Sequence, residues 1–220
     1  QDATGFFRTE KINGRWWIID PLGYPYISIG LSHINYSLNG SALQRENAIK
    51  KYGSFENWAA ETTNQVRDEL NFNNSFSPRS EIMEIEDGLP YMAHFSVMSA
   101  FGASKGVRGK CNGSTVFVSN NTMPVFDPDF EEYAFALAKE KANDVNNSKI
   151  IGYTTDNELP MELEILDHSL TVNHLKSINH YTYACAWTWL ANMTGKENPS
   201  YADVTDELRD LFRGFVYDRY

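Results

Sequence analysis

The residue best placed to do chemistry is Glu158. It stands in Asp156-Asn157-Glu158-Leu159-Pro160, directly after Lys149–Thr154, a short run with the side chains of a β-strand. Parallel α/β folds gather their catalytic groups where strands end, at the carboxyl edge of the sheet. Cleaving a glycosidic bond needs one carboxylic acid to protonate the departing oxygen and a second carboxylate to act at the anomeric carbon. A carboxyl at a partly enclosed rim, its pKa raised towards neutrality, suits the first role. Asn157 beside it would donate to a sugar 2-hydroxyl. Taken alone, however, Asp156-Asn157-Glu158 reads better as a polar strand-to-helix turn in which Asn or Asp caps the next helix.

Other polar residues at strand ends complete the candidate set. His33 follows the run Tyr26–Leu31, and Asn74 lies in Phe72–Phe76. With Asp156 and Asn157 they are the candidate substrate-binding residues around Glu158. His33 serves equally as a structural hydrogen-bonding group, and His94, inside an apolar run, is expected in the core. His168, His174 and His180 are six residues apart and do not share a helix face, so no metal site is expected. Trp187 and Trp189 face different sides of one helix. Cys111 and Cys185 match no redox or metal spacing and read as buried thiols. There is no glycine-rich phosphate loop and no Ser-His-Asp order, and no cofactor is called for.

The elements that must position these residues show in the periodicity. Phe6–Ile12 and Arg15–Ile19 flank Asn13-Gly14, the strongest short hairpin signal, and Asp20-Pro21-Leu22-Gly23 turns the chain again. Tyr26–Leu31 is nearly continuous in small and β-branched residues, as in a strand covered on both faces. Phe55, Trp58, Ala59, Thr62, Val66 and Leu70 recur at helical spacing behind a Ser54 N-cap. Phe72–Phe76 breaks at Ser77-Pro78. Leu89–Val97 is a further strand after Asp87-Gly88, and 99–123, rich in Gly, Ser and Asn, reads as a long loop. Asp129 and Glu132 have capping-box spacing for a helix ending near Asn143. Further helices are expected over Val172–Asn192 and from Thr205.

Strand and helix in alternation argue for an α/β fold with about four parallel strands. An eight-stranded (β/α)8 barrel takes about 250 residues, so these 220 hold roughly its first half. The domain reading is an N-terminal hairpin over residues 1–24 capping a barrel that occupies 25–220 and is truncated at Tyr220.

Composition narrows the partners. Hydrophobic residues make up 42% and charged residues 22%, ordinary for a globular chain. The 13 Phe, 12 Tyr and 5 Trp fit a large aromatic core, or a surface on which sugars stack. A net charge of −10 argues against nucleic acid, which needs a clustered basic face. The longest apolar runs fall far short of the roughly 20 residues that span a bilayer. Seven Asn-X-Ser/Thr triplets, from Asn35 to Asn192, are what an Asn-rich sequence produces by chance.

Three segments carry a resemblance. Phe6–Gly23 followed by Tyr26–Gly30 is similar to the start of the catalytic domain in agarase-type hydrolases of glycoside hydrolase family 50. Ile151-Gly152-Tyr153 with Asp156-Asn157-Glu158-Leu159 resembles the fourth-strand Asn-Glu signature of the same clan of retaining barrels, which also contains β-galactosidases. Val125–Phe130 fits the stretch between strands three and four. The resemblance implies a (β/α)8 TIM barrel and a retaining glycoside hydrolase with Glu158 as acid/base and Asn157 beside it. It also implies a nucleophilic Glu on a seventh strand beyond Tyr220, in the remainder of the same catalytic domain. The substrate class it implies is a β-linked galactan polysaccharide or oligosaccharide, with a secreted or periplasmic location. The alternative is a degenerate barrel that binds carbohydrate without turnover.

Overall fold

The computed structural model describes residues 1–36, 42–75, 88–105, 109–111, 114–116, 122–142, 146–157, 159–175 and 177–220. They form two compact units, 1–95 with 143–155, and 96–142 with 156–220.

In the first unit, β1 (Arg8–Ile12) and β2 (Arg15–Ile19) pair antiparallel about Asn13-Gly14. Both turn residues have positive φ, 51° and 82°, as a two-residue hairpin loop requires. Asp20 then holds the next turn: its Oδ1 accepts from Leu22 N–H and Tyr24 N–H, each at 2.9 Å. β3 (Pro25–Tyr26) adds to β2 as the third strand of this antiparallel sheet.

The expected strand over Tyr26–Leu31 is interrupted. Residues 27–29 leave the antiparallel sheet, and only β4 (Gly30–Leu31) enters a separate, parallel one. The side chain of Asn73 separates the two: its amide donates to Ile27 O at 2.8 Å and its Oδ1 accepts from Ile29 N–H at 2.9 Å. Ile27 and Ile29 are exposed rather than covered on both faces.

The parallel sheet runs β4, β5 (Asn74–Ser75), β6 (Tyr91–His94) and β9 (Ile150–Thr154). Its four strands match the expected number, although β6 stops short of Val97. α1 (Ala42–Tyr52) and α2 (Phe55–Asn64) connect β4 to β5. Ser54 caps α2 by accepting from Asn57 N–H. Beyond Asn64 the helix loosens into a π-helical turn, Gln65–Glu69, and Leu70 is left exposed instead of completing the apolar stripe. Trp58 and Ala59 are buried among Ile34, Tyr36, Tyr52 and Phe55. His94 is half-buried rather than in the core, because its Nδ1 pairs with Thr154 Oγ1 at 2.8 Å.

In the second unit, the stretch expected to be one long loop instead carries α3 (Val97–Ser104) and a short antiparallel ribbon, β7 (Gly109–Cys111) with β8 (Ser114–Val116). Burial of Val97, Met98 and Phe101 outweighs the weak helical signal of this small-residue sequence. α4 (Phe130–Lys141) begins without a side-chain cap from Asp129, whose carboxylate is drawn to Lys105 at 2.5 Å. The helix expected over 172–192 is α6 (Ser177–Thr194), which starts later; α5 (Ile165–Thr171) precedes it as a helix not expected from the sequence, and α7 (Asp206–Arg219) is capped by Thr205. α5 packs on both α6 and α7, burying Ile165, Leu166, Leu170, Ala186, Leu190, Phe212 and Val216. Asp167, on α5, is held by Arg209 at 2.7 Å and by the Tyr201 hydroxyl. Cys185 is half-buried, and its thiol pKa is raised by burial.

Candidate active site

All four strands of the parallel sheet point the same way, so their carboxyl ends share one edge. Leu31, Ser75, His94 and Thr154 end the strands there. One residue, Ser32, separates Leu31 from His33. From Thr154 the chain passes directly to Asp156 and Asn157, while Glu158 itself lies outside the described residues.

His33 is exposed and has φ of 61°, a left-handed conformation uncommon for a residue with a Cβ. Its Nδ1 lies 3.2 Å from Ser32 Oγ. Asn74 is fully buried. Its amide donates to Ser28 Oγ at 2.8 Å and to Asn73 Oδ1 at 3.0 Å, so in this structure it ties β5 to the segment that precedes β4 rather than facing solvent. Gly30 makes that closeness possible: a Cβ there would meet Asn74 Oδ1 at 1.9 Å. The Asn74 Oδ1 and Ser75 Oγ atoms are buried without a hydrogen-bond partner among the described residues.

Asn157 is exposed. Asp156 is half-buried, and its carboxylate is occupied. Both oxygens lie 3.2 Å from the Met98 N–H at the start of α3, and the Tyr220 hydroxyl donates to Oδ2 at 2.7 Å. Burial pushes its pKa up to about 6, while the Tyr220 hydroxyl and the N–H groups of Met98, Val97 and Ser99 pull the other way. Asp156 is therefore an intramolecular acceptor here. Tyr220, 64 residues away, was outside the sequence-level candidate set, and no local pattern marks it.

The aromatic residues divide similarly. Trp187 donates through Nε1 to Leu170 O at 3.3 Å, while Trp189 meets Phe212 edge-on and stacks on Phe215. His174 packs on Tyr183 and His180 on Tyr181. Among the described residues no cluster of three or more His, Cys, Asp or Glu is arranged to hold a metal ion. No described helix is long and apolar enough to cross a membrane.

No protein-family model and no curated protein matches the sequence. Solved structures do. The chain superposes over 100% of its length on BpGH50, with a TM-score of 0.74 and 27% identity, covering 48% of that chain. It superposes equally completely on the agarase AgWH50C, with a TM-score of 0.59 and 18% identity over 39% of that chain. For an exo-β-agarase the TM-score is 0.61 at 18% identity, over 44% of that chain. The chain thus spans less than half the length of these structures. Over that span, it has the mixed α/β fold of the agarase-type proteins of glycoside hydrolase family 50.

Proposed function

We propose that the protein is a retaining glycoside hydrolase that cleaves β-linked galactan, with Glu158 as its acid/base. The observation that carries this reading is the likeness to BpGH50 and two agarases along the whole chain, joined to an Asn-Glu pair that follows the last strand of a parallel sheet. Residues 25–220 would be the N-terminal part of a (β/α)8 barrel, and residues 1–24 a hairpin capping one end. The second carboxylate and the remaining strands would come from the rest of that domain.

In the first step Glu158 gives its proton to the glycosidic oxygen as the bond from that oxygen to the anomeric carbon breaks and the nucleophile bonds to the carbon. In the second, the Glu158 carboxylate takes a proton from a water whose oxygen displaces the nucleophile, so configuration is retained. Asn157, exposed beside it, is the donor proposed for the sugar 2-hydroxyl. His33, separated from the end of β4 by Ser32 alone, is proposed as a further sugar-binding residue. The hydrogen bonds of Asp156 to Met98 and Tyr220, and of Asn74 to Ser28 and Asn73, favour a structural role for each over touching substrate.

The test is Glu158→Gln in the full-length protein. Cleavage of a galactan oligosaccharide, whose leaving group needs a proton, should slow by about 10²–10⁴-fold. An aryl β-galactoside with a good leaving group should lose far less in its first step. Small, equal losses would remove Glu158 from the acid/base role, and a product of inverted configuration would exclude retention.

A further inference from the structure

We propose that one face of the N-terminal hairpin is a second carbohydrate-binding surface, on which Trp16 stacks against a sugar residue of a neutral polysaccharide chain. That the chain is a galactan rests on the reading given above.

The sequence has 5 Trp. Trp58 is buried and Trp17, Trp187 and Trp189 are half-buried, whereas Trp16 is 66% exposed. Alternation along β2 explains the contrast between neighbours: successive side chains of a strand point to opposite faces. Trp17 shares its face with the buried Ile19 and lies under the Arg15 guanidinium, which is 4.8 Å from its ring centroid. Trp16 shares the other face with Ile18 and, across the ladder, with Lys11 and Thr9. Lys11 and Thr9 are both exposed. An indole so far in solvent adds little to the core, because apolar surface stabilises only where it leaves water.

The surroundings of the ring select the ligand. A sugar residue has an apolar C–H face and a rim of hydroxyls. The flat Trp16 ring suits the face. The rim meets donors: the Lys11 ammonium stands 6.0 Å from the ring centroid, and the Thr9 hydroxyl lies on the same face. The core of a protein–protein contact is depleted of charge, which a lysine directly opposite the ring does not suit. A neutral chain also approaches without repulsion a protein of net charge −10, whereas a polyanion does not.

A second ring favours a chain over a single sugar. Tyr24 is 65% exposed. Tyr26 pairs with Ile18, and the Asp20 N–H donates to Tyr24 O at 2.8 Å, so alternation puts Tyr24 on the face of Trp16, opposite a residue four further along β2. Four residues of strand are about 13 Å. One sugar cannot touch both rings, but several linked in a chain can.

The experiment uses the full-length protein. Wild type, Trp16→Ala, Trp16→Phe and Tyr24→Ala are run in native gels containing galactan polysaccharide, and kcat/KM is measured on a short soluble galactan oligosaccharide. Trp16→Ala should weaken retention by about 10-fold or more, as for a central aromatic contact. Trp16→Phe, which keeps a ring, should retain part of the binding, and Tyr24→Ala should lose less than Trp16→Ala. Melting temperature and kcat/KM on the oligosaccharide should stay at wild-type values in all three. Undiminished retention of Trp16→Ala overturns the proposal, as does an equal loss on the short oligosaccharide, which would make the ring part of the cleft. The two readings fail separately. A wild type that cleaves no galactan but is retained by it through Trp16 removes the hydrolase reading and upholds this surface.

Discussion

Gly30→Ala is the sharpest test of how the strand ends are held. An added Cβ would lie 1.9 Å from Asn74 Oδ1, 2.7 Å from its Cγ and 2.9 Å from its backbone oxygen. Comfortable non-bonded approach is about 3.5 Å, so the nearest contact is short by roughly 1.5 Å. Swinging the Asn74 side chain away would break its bonds to Ser28 and Asn73 and would still leave the backbone oxygen too close. Among the described residues β4 and β5 pair through Gly30 with Asn74 and Leu31 with Ser75, a ladder too short to spread the strain. Overpacking of this kind costs about 1–3 kcal/mol, and each buried hydrogen bond lost adds about 1 kcal/mol. The sum, about 3–5 kcal/mol, is a large part of the 5–15 kcal/mol typical of a domain. Urea unfolding of the full-length wild type and variant measures it. The same substitution in an Asn74→Ala background should cost at least about 1 kcal/mol less, because the closest atoms are gone. A Gly30→Ala variant within about 0.5 kcal/mol of wild type, or strict additivity in the double variant, would refute the close-approach argument.

Two further outcomes follow from the second unit. The Asp156 carboxyl is raised to about 6 from an ordinary 3.8, so the folded state holds its proton more tightly than the unfolded chain. Its contribution is complete below about pH 4 and is lost as pH rises through about 6, on the order of 1–2 kcal/mol after allowance for partial exposure. Denaturation midpoints from pH 4 to 7 should show wild type losing ground to Asp156→Asn across that window and not beyond it; a flat or rising difference contradicts the assignment. Phe212 is fully buried, meeting Trp189 edge-on and lying near Phe126 and Phe215. Phe212→Ala should destabilise by about 3–5 kcal/mol in chemical unfolding, with a cost below about 1 kcal/mol showing that the site collapses freely.

Much of the local structure follows from residues that speak for themselves. Asn13-Gly14 takes positive φ at both positions because one lacks a Cβ and the other tolerates its cost, so the hairpin is written in two letters. Ser54 and Thr205 each place a short oxygen where a helix has an orphan N–H, and both cap as their positions demand. Ile150–Thr154 forms a parallel strand because its β-branched side chains suit one, and Asp156-Asn157-Glu158 follows it as a matter of covalent sequence.

The packing of the whole chain sets which distant backbone groups side chains turn to. Residues 27–29 have strand-forming side chains, yet Asn73 takes their backbone groups from 44 and 46 residues away and splits the strand. Val97–Ser104, beginning where a strand was expected to end, is a helix because burying Met98 and Phe101 outweighs a weak local preference. Asp129 has the spacing of a cap but is captured by Lys105. Asp156 has the look of a local turn former or a sugar ligand, yet its carboxylate accepts from the Met98 N–H at the start of α3, 58 residues away, and from the Tyr220 hydroxyl after α7. Hydrogen-bond valences are local, but which donor fills them depends on what the packing of the whole chain brings within 3 Å or so, and no periodicity in the sequence encodes that encounter.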